Sequence, residues 1–450
     1  MQKIANAVDK YRELILSAER YIWKNPETGF KEYKTSKYME EQFESLGYKI
    51  TRAEGITGFY TTIDTGRPGP TVLALAELDA VICKSHPEAD PETGAVHACG
   101  HNAQCAAMLG VAAALKDENI LKDLSGKIML CVVPAEESIE MEYRAELRSK
   151  GIIKYTGGKS EFLSRGYFDG VDIAFMVHTA GGAHVSHGGR SLGFIGKTIT
   201  YKGVAAHAGG APWLGKNALY AANAGLAAVN ALRETFRDED HVRWHPIMTS
   251  GGDMVNNIPE TAKIESMLRA VTTEALEREN EKINRALIGA AISFGVEIEI
   301  TDEPGYAPLL HDKNLAKAAK EAFDKIIPFT DTPNLGCGES FDGVGGGTMD
   351  MGDLAMLMPI IHPYMGGAVG KGHGNDYYIT DPVTACVTCA KWQVALIKTL
   401  LENGGERAKL IAESYTPTYK TKEEFLSYQD SVRRSGNRVE YLEKGEIRIK

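Results

Sequence analysis

The chain has 450 residues with 60 acidic and 50 basic side chains, which gives a formal charge of −10. Hydrophobic residues make up 43% and charged residues 24%, values that are typical of a globular protein and exclude a disordered, collagen-like or coiled-coil chain. The acidic excess disfavours nucleic acid or an anionic membrane as a partner. The sequence contains no run of about 18 apolar residues, so no transmembrane helix is predicted. The segment 1–23 is predicted to be an amphipathic helix without an apolar signal core, so we expect a cytoplasmic protein.

The first part of the chain alternates apolar runs with helical patterns. The runs 71–79, 126–137 and 171–182 are typical of buried parallel strands. Strands that alternate with helices predict an open α/β sheet, which we assign to residues 1–191.

The pattern changes near residue 192. The segment 192–304 predicts the order strand, helix, strand, strand, helix, strand, which is a ferredoxin-like βαββαβ unit. The α/β character resumes over 305–450, with a charged tail from about residue 405. The sequence therefore predicts an α/β domain in two parts with an inserted smaller domain.

Cysteine usage does not suggest a disulfide framework, because the seven cysteines are odd in number and spread over a long chain. Cys386 and Cys389 form a C-x-x-C pair in an apolar helical stretch. Core packing is the favoured interpretation of this pair, and a redox or metal pair is the alternative.

Candidate ligands and acids follow three of the predicted strands. They are Glu77 and Asp79 after the first, Glu136 and Glu137 after the second, and His178 after the third. A single acid at a strand end is usually a turn or cap residue. Three strands that end in this way favour a site, because ligands of open α/β sheets lie outside the carboxyl ends of the strands.

Further candidates lie in loops. Cys99-x-His101 precedes a helix, and a thiolate with an imidazole suits zinc or a similar transition metal. His373 lies among glycines, which indicates either a flexible loop or a ligand carried by a turn. His207 also lies among small residues, where a structural and a catalytic role are equally compatible with the pattern. If one metal centre collects the ligands before and after 192–304, that segment is an insertion that closes over the site or forms a dimer contact.

The adjacent pair Glu136 and Glu137 has a chemical use. One carboxylate can bind a metal while the other holds the nucleophilic water, whose pKa the metal lowers. The alternative is a solvated acidic face, which the preceding apolar run and Pro134 disfavour.

Ordered motifs over about 20–400 resemble the metallo-amidohydrolases and peptidases of the aminoacylase and carboxypeptidase type. The nearest branch is that of the auxin-conjugate and aminobenzoyl-glutamate hydrolases. The motifs are ELDAV, HACGHNAQ, VVPAEES, MVHTAGG, GVAAHAGGAPWLGKNAL, VNNIPETAKIESMLRA and HGNDYYITDP. The resemblance implies a zinc-peptidase-like open mixed sheet with helices on both faces and two divalent ions per subunit, zinc or manganese. It also implies that 192–304 is a lid and dimerisation domain of a homodimer or larger homo-oligomer.

The resemblance also implies roles for single residues. The implied metal ligands are Cys99, His101, Glu137, His178 and His373. Glu136 would be the general base, and Asp79 would orient a ligand. His207 would stabilise the oxyanion from the neighbouring subunit. Asn257 and Arg269 would hold a substrate carboxylate, although Arg269 is equally compatible with a solvated strand position.

The sequence departs from the family pattern in two places. Asn102 and Gln104 stand where the family has Asp and His, so a charge and an imidazole behind the ligands are lost. The proline that the family has near His178 is also missing. We expect these departures to affect the metal preference and the shape of the pocket.

The leading hypothesis is a metal-dependent amidohydrolase. It would cleave an N-acyl amino acid, an aminobenzoyl-glutamate-like amide or a dipeptide with a metal-activated water and Glu136 as base. One alternative is a non-catalytic metal or ligand binder of the same fold, which Asn102 and Gln104 would allow. Another is an amidase with Cys99 as nucleophile, which would leave Glu136, Glu137 and the two later histidines without a role.

Overall fold

The computed structural model describes residues 1–187, 189–341, 343–443 and 446–450. The chain divides into two compact units. Unit 1 comprises Met1–Gly189, Leu310–Gly343 and Met349–Lys422, and unit 2 comprises Arg190–Leu309, Val344–Thr348 and Glu423–Lys450. The tail therefore differs from the expectation, because its last part belongs to unit 2 and not to the domain that holds the strand-end acids.

The α-helices are α1 (Gln2–Asp9), α2 (Arg12–Trp23), α3 (Tyr33–Ser45), α4 (His101–Ala114), α5 (Glu118–Leu121), α6 (Met141–Ser149), α7 (Gly158–Ser164), α8 (Ala218–Ala231), α9 (Thr273–Phe294), α10 (Lys313–Ile326), α11 (Met351–Ala355), α12 (Cys389–Leu401), α13 (Glu406–Ser414) and α14 (Lys422–Val432). In the part of the chain that the structure describes, no helix has both the length and the apolarity needed to cross a bilayer. The predicted first helix is two helices, because Lys10 and Tyr11 form a turn between α1 and α2.

The strands of the two larger sheets are β1 (Thr51–Arg52), β2 (Phe59–Asp64), β3 (Thr71–Glu77), β4 (Lys127–Val133), β5 (Ile173–Met176), β6 (Gly193–Lys202), β7 (Arg243–Ser250), β8 (Thr261–Ala270), β9 (Glu297–Pro304), β10 (Ile360–Ile361) and β11 (Arg434–Asn437). Shorter strands are Val81–Ile82, Ala95–Val96, His178–Thr179, Ala183–His187, Arg190–Ser191, Leu309–Leu310, Cys337–Phe341, Val344–Gly345, Tyr364–Met365, Ala368–Val369, Tyr378–Ile379, Val439–Tyr441 and Ile447–Ile449.

The main sheet of unit 1 has the order β1-β2-β4-β3-β5-β10. The pairs β1–β2 and β2–β4 are antiparallel, and the remaining pairs are parallel. In β3 and β4 every residue after the first is buried, which explains their nearly continuous apolar runs. Glu77 at the end of β3 pairs with Val133 at the end of β4, so both strands deliver their following residues to one edge of the sheet.

Unit 2 has a five-stranded antiparallel sheet of order β7-β8-β6-β9-β11. With α8 and α9 the chain order is β-α-β-β-α-β, and β11 from the tail adds a strand beside β9. Helix α9 begins where the Thr272 side chain accepts a hydrogen bond from the Ala275 amide and ends at Gly295, which adopts a left-handed conformation. The predicted α/β fold class is confirmed.

Cys386 and Cys389 are buried and form no disulfide. They lie in a π-helical turn, Val383–Thr388, and at the first residue of α12, within the largest hydrophobic core of unit 1.

Candidate metal centre

Asp79 connects two candidate ligands from its position just beyond β3. Its side chain is fully buried, and its backbone carbonyl accepts a hydrogen bond of 2.8 Å from His101 Nδ1. Its Oδ2 accepts a hydrogen bond of 2.8 Å from the Glu137 amide. Because Nδ1 forms this hydrogen bond, Nε2 of His101 faces the remaining acids. Metal-binding histidines are commonly oriented in this way, by a hydrogen bond from the ring nitrogen that does not bind the ion.

Cys99 and His101 are joined by a glycine that the geometry requires. Gly100 has φ +83°, and a Cβ there would lie 2.4 Å from Tyr377 Oη. The thiol thereby comes within 3.4 Å of Nε2 of His178, whose Nδ1 donates to the Thr179 carbonyl at 2.9 Å. Two imidazoles and one thiol thus converge from the start of α4 and from the segment after β5.

Glu136 and Glu137 follow a tight turn after β4. Ala135 has φ +56°, and its amide donates to Glu32 Oε1 at 2.9 Å. The buried Arg144 guanidinium donates to the Glu137 carbonyl. Both glutamates are less than a tenth exposed, so the alternative of a solvated acidic face does not hold.

His373 reaches the same cluster from the glycine-rich loop. It adopts φ +63°, and its amide donates to the Ala98 carbonyl at 2.8 Å. Its Nε2 lies 3.1 Å from Glu137 Oε1, although the ring is more than half exposed. The loop is therefore tied to the segment that carries Cys99.

Three overlapping sets of side chains place donor atoms within 4.8 Å of one another. They are Cys99 with His101 and His178, Cys99 with Glu137 and His373, and Glu77 with His101 and Glu136. Donors bound at about 2.0–2.3 Å to one zinc-like ion are separated by about 3–3.6 Å. The separations of 3.1 Å and 3.4 Å in these sets match that geometry.

Orphaned polar atoms support the same fit. Among the described residues, His101 Nε2 and Glu137 Oε1 are buried and lack a hydrogen bond of good geometry, although Glu77 Oε2 and His373 Nε2 respectively lie 3.1 Å from them. Buried polar atoms in native proteins are nearly always satisfied, by protein, water or an ion. Thiolate, imidazole and carboxylate together are the donor set of zinc and related ions.

The cluster is electrostatically negative. Burial by itself lowers the pKa of His101, but the Glu77 and Asp79 carboxylates outweigh it and raise that pKa to about 10. Burial, and then the charge of His101, lower the pKa of His178 to about 4. Burial, and then Glu137, raise the pKa of the Cys99 thiol. A bound cation reverses this balance, because it favours thiolate and neutral imidazole.

Glu136 is buried among other acids. Burial, and then the negative charges of Glu77, Glu137 and Asp350, raise its pKa above the ordinary glutamate value. A carboxylate whose pKa is raised is a better proton acceptor and can also return the proton as an acid.

Three predicted site residues lie in unit 2. His207 and Asn257 pair through an isolated β-bridge, beside a cavity of about 410 Å³ that Ala208, Tyr220 and Met254 help to line. Arg269 lies on β8, where its guanidinium donates to the Gly346 carbonyl at 3.2 Å. Burial, and then the nearby Arg243, lower the pKa of Arg269. Unit 1 alone therefore brings together the metal-ligand candidates, Asp79 and Glu136.

The family model described as peptidase family M20/M25/M40 matches residues 74–399. The chain belongs to this family. The mouse Xaa-Arg dipeptidase is 27% identical over 84% of this chain and 82% of its own length. A p-aminobenzoyl-glutamate hydrolase protein of Escherichia coli is 26% identical over 71% of this chain and 64% of its own length.

Among solved structures, a dinuclear metal binding peptidase of the M20 family from Bacillus subtilis superposes with a TM-score of 0.64. It is 20% identical and covers 87% of this chain and 99% of its own. The predictions of the family and of a metal-dependent hydrolase of amide or peptide bonds are confirmed.

The two residues that depart from the family motif, Asn102 and Gln104, both donate hydrogen bonds to carboxylates in this M20 chain. Asn102 Nδ2 donates to the buried Glu19 Oε1 at 2.7 Å, so a carboxylate from α2 lies beside the position that lacks its aspartate. Gln104 Nε2 donates to Glu77 Oε2 at 3.1 Å.

Sequence reasoning missed two residues of this charged core. Lys159 in α7 and Asp350, just before α11, are both fully buried and paired with each other. A lysine after two glycines is typical of an exposed loop, so no sequence pattern pointed to it. Glu77 carried a signal, because it precedes Asp79 by two residues at the same strand end.

Proposed function

We propose that this chain is a two-ion M20 amidohydrolase. The observation that carries the proposal is the pair of donor sets that share Cys99, with a buried glutamate beside them. Cys99, His101 and His178 would hold one ion, and Cys99, Glu137 and His373 the other. Zinc and manganese both suit a mixture of sulfur, nitrogen and oxygen donors of this kind.

When bound, the two ions supply Lewis-acid polarisation of the scissile carbonyl and lower the pKa of water. Glu136 accepts the proton of the attacking water and delivers it to the departing amine. Asp79 keeps the His101 ring and the Glu137 backbone in position. The raised pKa of the buried Cys99 thiol disfavours it as a free nucleophile, since the thiolate is the reactive form.

The substrate that we propose is an amide whose amine half is an amino acid. The names of the relatives describe a dipeptidase and an aminobenzoyl-glutamate hydrolase, and both activities release an amino acid or its derivative. Candidates are therefore N-acyl amino acids, aminobenzoyl-glutamate-like amides and dipeptides. Arg269 and Asn257 in unit 2 are proposed to hold the carboxylate of that amino acid.

We propose a homodimer or larger homo-oligomer that forms through unit 2, in which His207 stabilises the oxyanion of the neighbouring subunit. Unit 2 exposes large apolar side chains near His207 along the chain and around the cavity beside it. They are Trp213 at 76%, Leu214 at 67%, Tyr220 at 60%, Met254 at 61% and Val255 at 102% relative exposure. Apolar groups exposed in this number are typical of a protein interface. A cytoplasmic location is a further part of the proposal.

A hydrolysis screen followed by mass spectrometry tests the function. Protein reconstituted with zinc or manganese is incubated with N-acyl amino acids, aminobenzoyl-glutamate and dipeptides. Chelated protein and the Glu136→Gln variant are the controls. Cleavage that both controls abolish supports the proposal. Cleavage that survives chelation but is lost on alkylation would instead indicate a cysteine nucleophile. A protein that binds both ions and cleaves none of these amides would favour the non-catalytic binder.

A further inference from the structure

A buried lysine lies behind the candidate metal centre and has no part in the mechanism above. Lys159 Nζ lies 2.5 Å from Glu77 Oε1 and 2.5 Å from Asp350 Oδ1. The Lys159 amide also donates to Asp350 Oδ2 at 3.0 Å. All three side chains are at most 1% exposed. Burying three charges is costly, so their arrangement calls for a reason beyond stability.

The other end of Glu77 points to the donor atoms. Its Oε2 lies 3.1 Å from His101 Nε2 and accepts a hydrogen bond from Gln104 at the same distance. His101 Nε2 forms no hydrogen bond within the described part of the chain, so it is the orphaned atom that a cation would satisfy. A separation of 3.1 Å fits two donors that share one ion.

We propose that Lys159 and Asp350 form a clamp that holds the Glu77 carboxylate against the ion site at His101. The clamp rests on the two-ion centre proposed above. Lys159 is a positioning residue here, because its ammonium group acts through the Glu77 carboxylate. One oxygen of Glu77 is fixed by the ammonium group, and this leaves the second oxygen to face the ion bound by His101.

The clamp also explains why Lys159 is paired with a second carboxylate, that of Asp350. Asp350 holds Lys159 through both its side-chain oxygens, which accept from the amide and from the ammonium group of the lysine. With Lys159 removed, Glu77 and Asp350 would be buried without their shared cation. The carboxylate of Glu77 would then keep only its contacts with Gln104 and His101.

Unit 2 contains a matched control. Lys197 is also fully buried, and its ammonium group pairs with Asp302 and donates to Asn280 Oδ1 at 2.7 Å. Asp302 accepts further hydrogen bonds of 3.0 Å from Asn280 and Asn284. None of these groups belongs to a donor set found among the described residues. Lys197→Met therefore removes a buried lysine without touching the proposed ion site.

The test measures metal binding to the full chain. Binding is monitored by calorimetric titration with zinc and by the visible spectrum of the cobalt-loaded form. We expect the wild type to bind two ions. Lys159→Met should weaken one of them by about 10–100-fold, the usual effect of removing a second-layer partner. The cobalt ligand-field bands should shift while the thiolate-to-cobalt band from Cys99 persists. Lys197→Met should bind both ions as the wild type does.

The double variant Lys159→Met/Asp350→Asn guards against a loss of folding. It removes one positive and one negative charge and keeps Glu77, so it lacks the clamp without a change in net charge. The same weakening of one ion is expected. If either variant folds and binds both ions with wild-type affinity and spectrum, the clamp is refuted. A wild type that binds no ion refutes the metal centre and the clamp together. A wild type that binds two ions but cleaves no amide refutes only the proposed function.

Discussion

Lys159 in unit 1 and Lys197 in unit 2 are both buried in ion pairs, and they differ in what their partners face. The charges of Asp350 and Glu77 outweigh burial and raise the pKa of Lys159, whereas burial outweighs Asp302 and lowers the pKa of Lys197. The partners of Lys197 are satisfied by neighbouring amides. Glu77, the partner of Lys159, instead faces an imidazole nitrogen that lacks a hydrogen bond among the described residues. The two buried pairs therefore differ in whether the counter-charge continues to the candidate donor atoms of a metal centre.

The same contrast holds for buried glutamates. Burial, and then the neighbouring acids, raise the pKa of Glu136, while Glu279 in α9 is paired with Arg278 and Lys282. Buried acids close to one another repel, and a bound cation would offset this repulsion at the candidate metal centre.

The largest expected effect is on turnover. Glu136→Gln should lower the rate of amide hydrolysis by about 10²–10⁴-fold, because the attacking water loses its proton acceptor. Glu279→Gln in unit 2 is the matched control and should leave the rate unchanged. Steady-state kinetics with the metal content measured in parallel checks this. A Glu136→Gln enzyme that retains its rate would mean that another group accepts the proton.

The second effect is on stability and distinguishes Lys159 from Lys197 by how far zinc stabilises each variant. Lys159→Met and Lys197→Met should each lower the free energy of unfolding by about 3–5 kcal/mol, since each leaves a buried carboxylate unpaired. Zinc should stabilise Lys197→Met as much as the wild type but Lys159→Met less. Denaturant unfolding with and without zinc measures the difference. Equal stabilisation of both variants by zinc would remove the distinction between the two pairs.

A smaller effect is expected at the departure from the family motif. Asn102→Asp restores the family residue but places a second carboxylate against Glu19, in the position of the present 2.7 Å hydrogen bond. We expect a loss of about 1–3 kcal/mol in the free energy of unfolding, because a buried acceptor loses its donor. The double variant Glu19→Gln/Asn102→Asp should recover most of it. Thermal or chemical unfolding that shows no loss in the single variant would contradict this role of Glu19.

The smallest effect is a pH dependence. Burial raises the pKa of Glu19 above the ordinary value of 4.5, with Arg20 and Asn102 opposing. The folded state therefore prefers the protonated acid, and stability is lost as the pH rises from that ordinary value through the raised one. Glu19→Gln should remove this loss, so its advantage over the wild type should grow as the pH rises above the ordinary value of 4.5. Glu13→Gln, an exposed change in the same helix, is the control, and equal slopes for all three proteins would contradict the prediction.

Local patterns predicted much of unit 1. The strand-end acids and His178 could be grouped because parallel strands deliver their following residues to one edge, and β3 and β4 pair in that register. Cys99 and His101 could be predicted as a pair of candidate ligands from their mutual spacing and the glycine between them. The role of Glu77 was not predictable, because strand-end position does not show that one carboxylate oxygen meets a lysine and the other a histidine.

The sequence by itself determined the α/β class, the position of the inserted βαββαβ segment and the motifs that place the chain in the M20 family. These features are encoded by hydrophobic periodicity and by side-chain chemistry at short spacing. Only the tertiary structure decided that Lys159 is buried between Glu77 and Asp350, residues 82 and 191 positions away. It likewise decided that Glu19 lies against Asn102 and that the tail adds a strand to unit 2. Such pairings depend on how distant segments pack, and the local pattern around each residue is compatible with an exposed position.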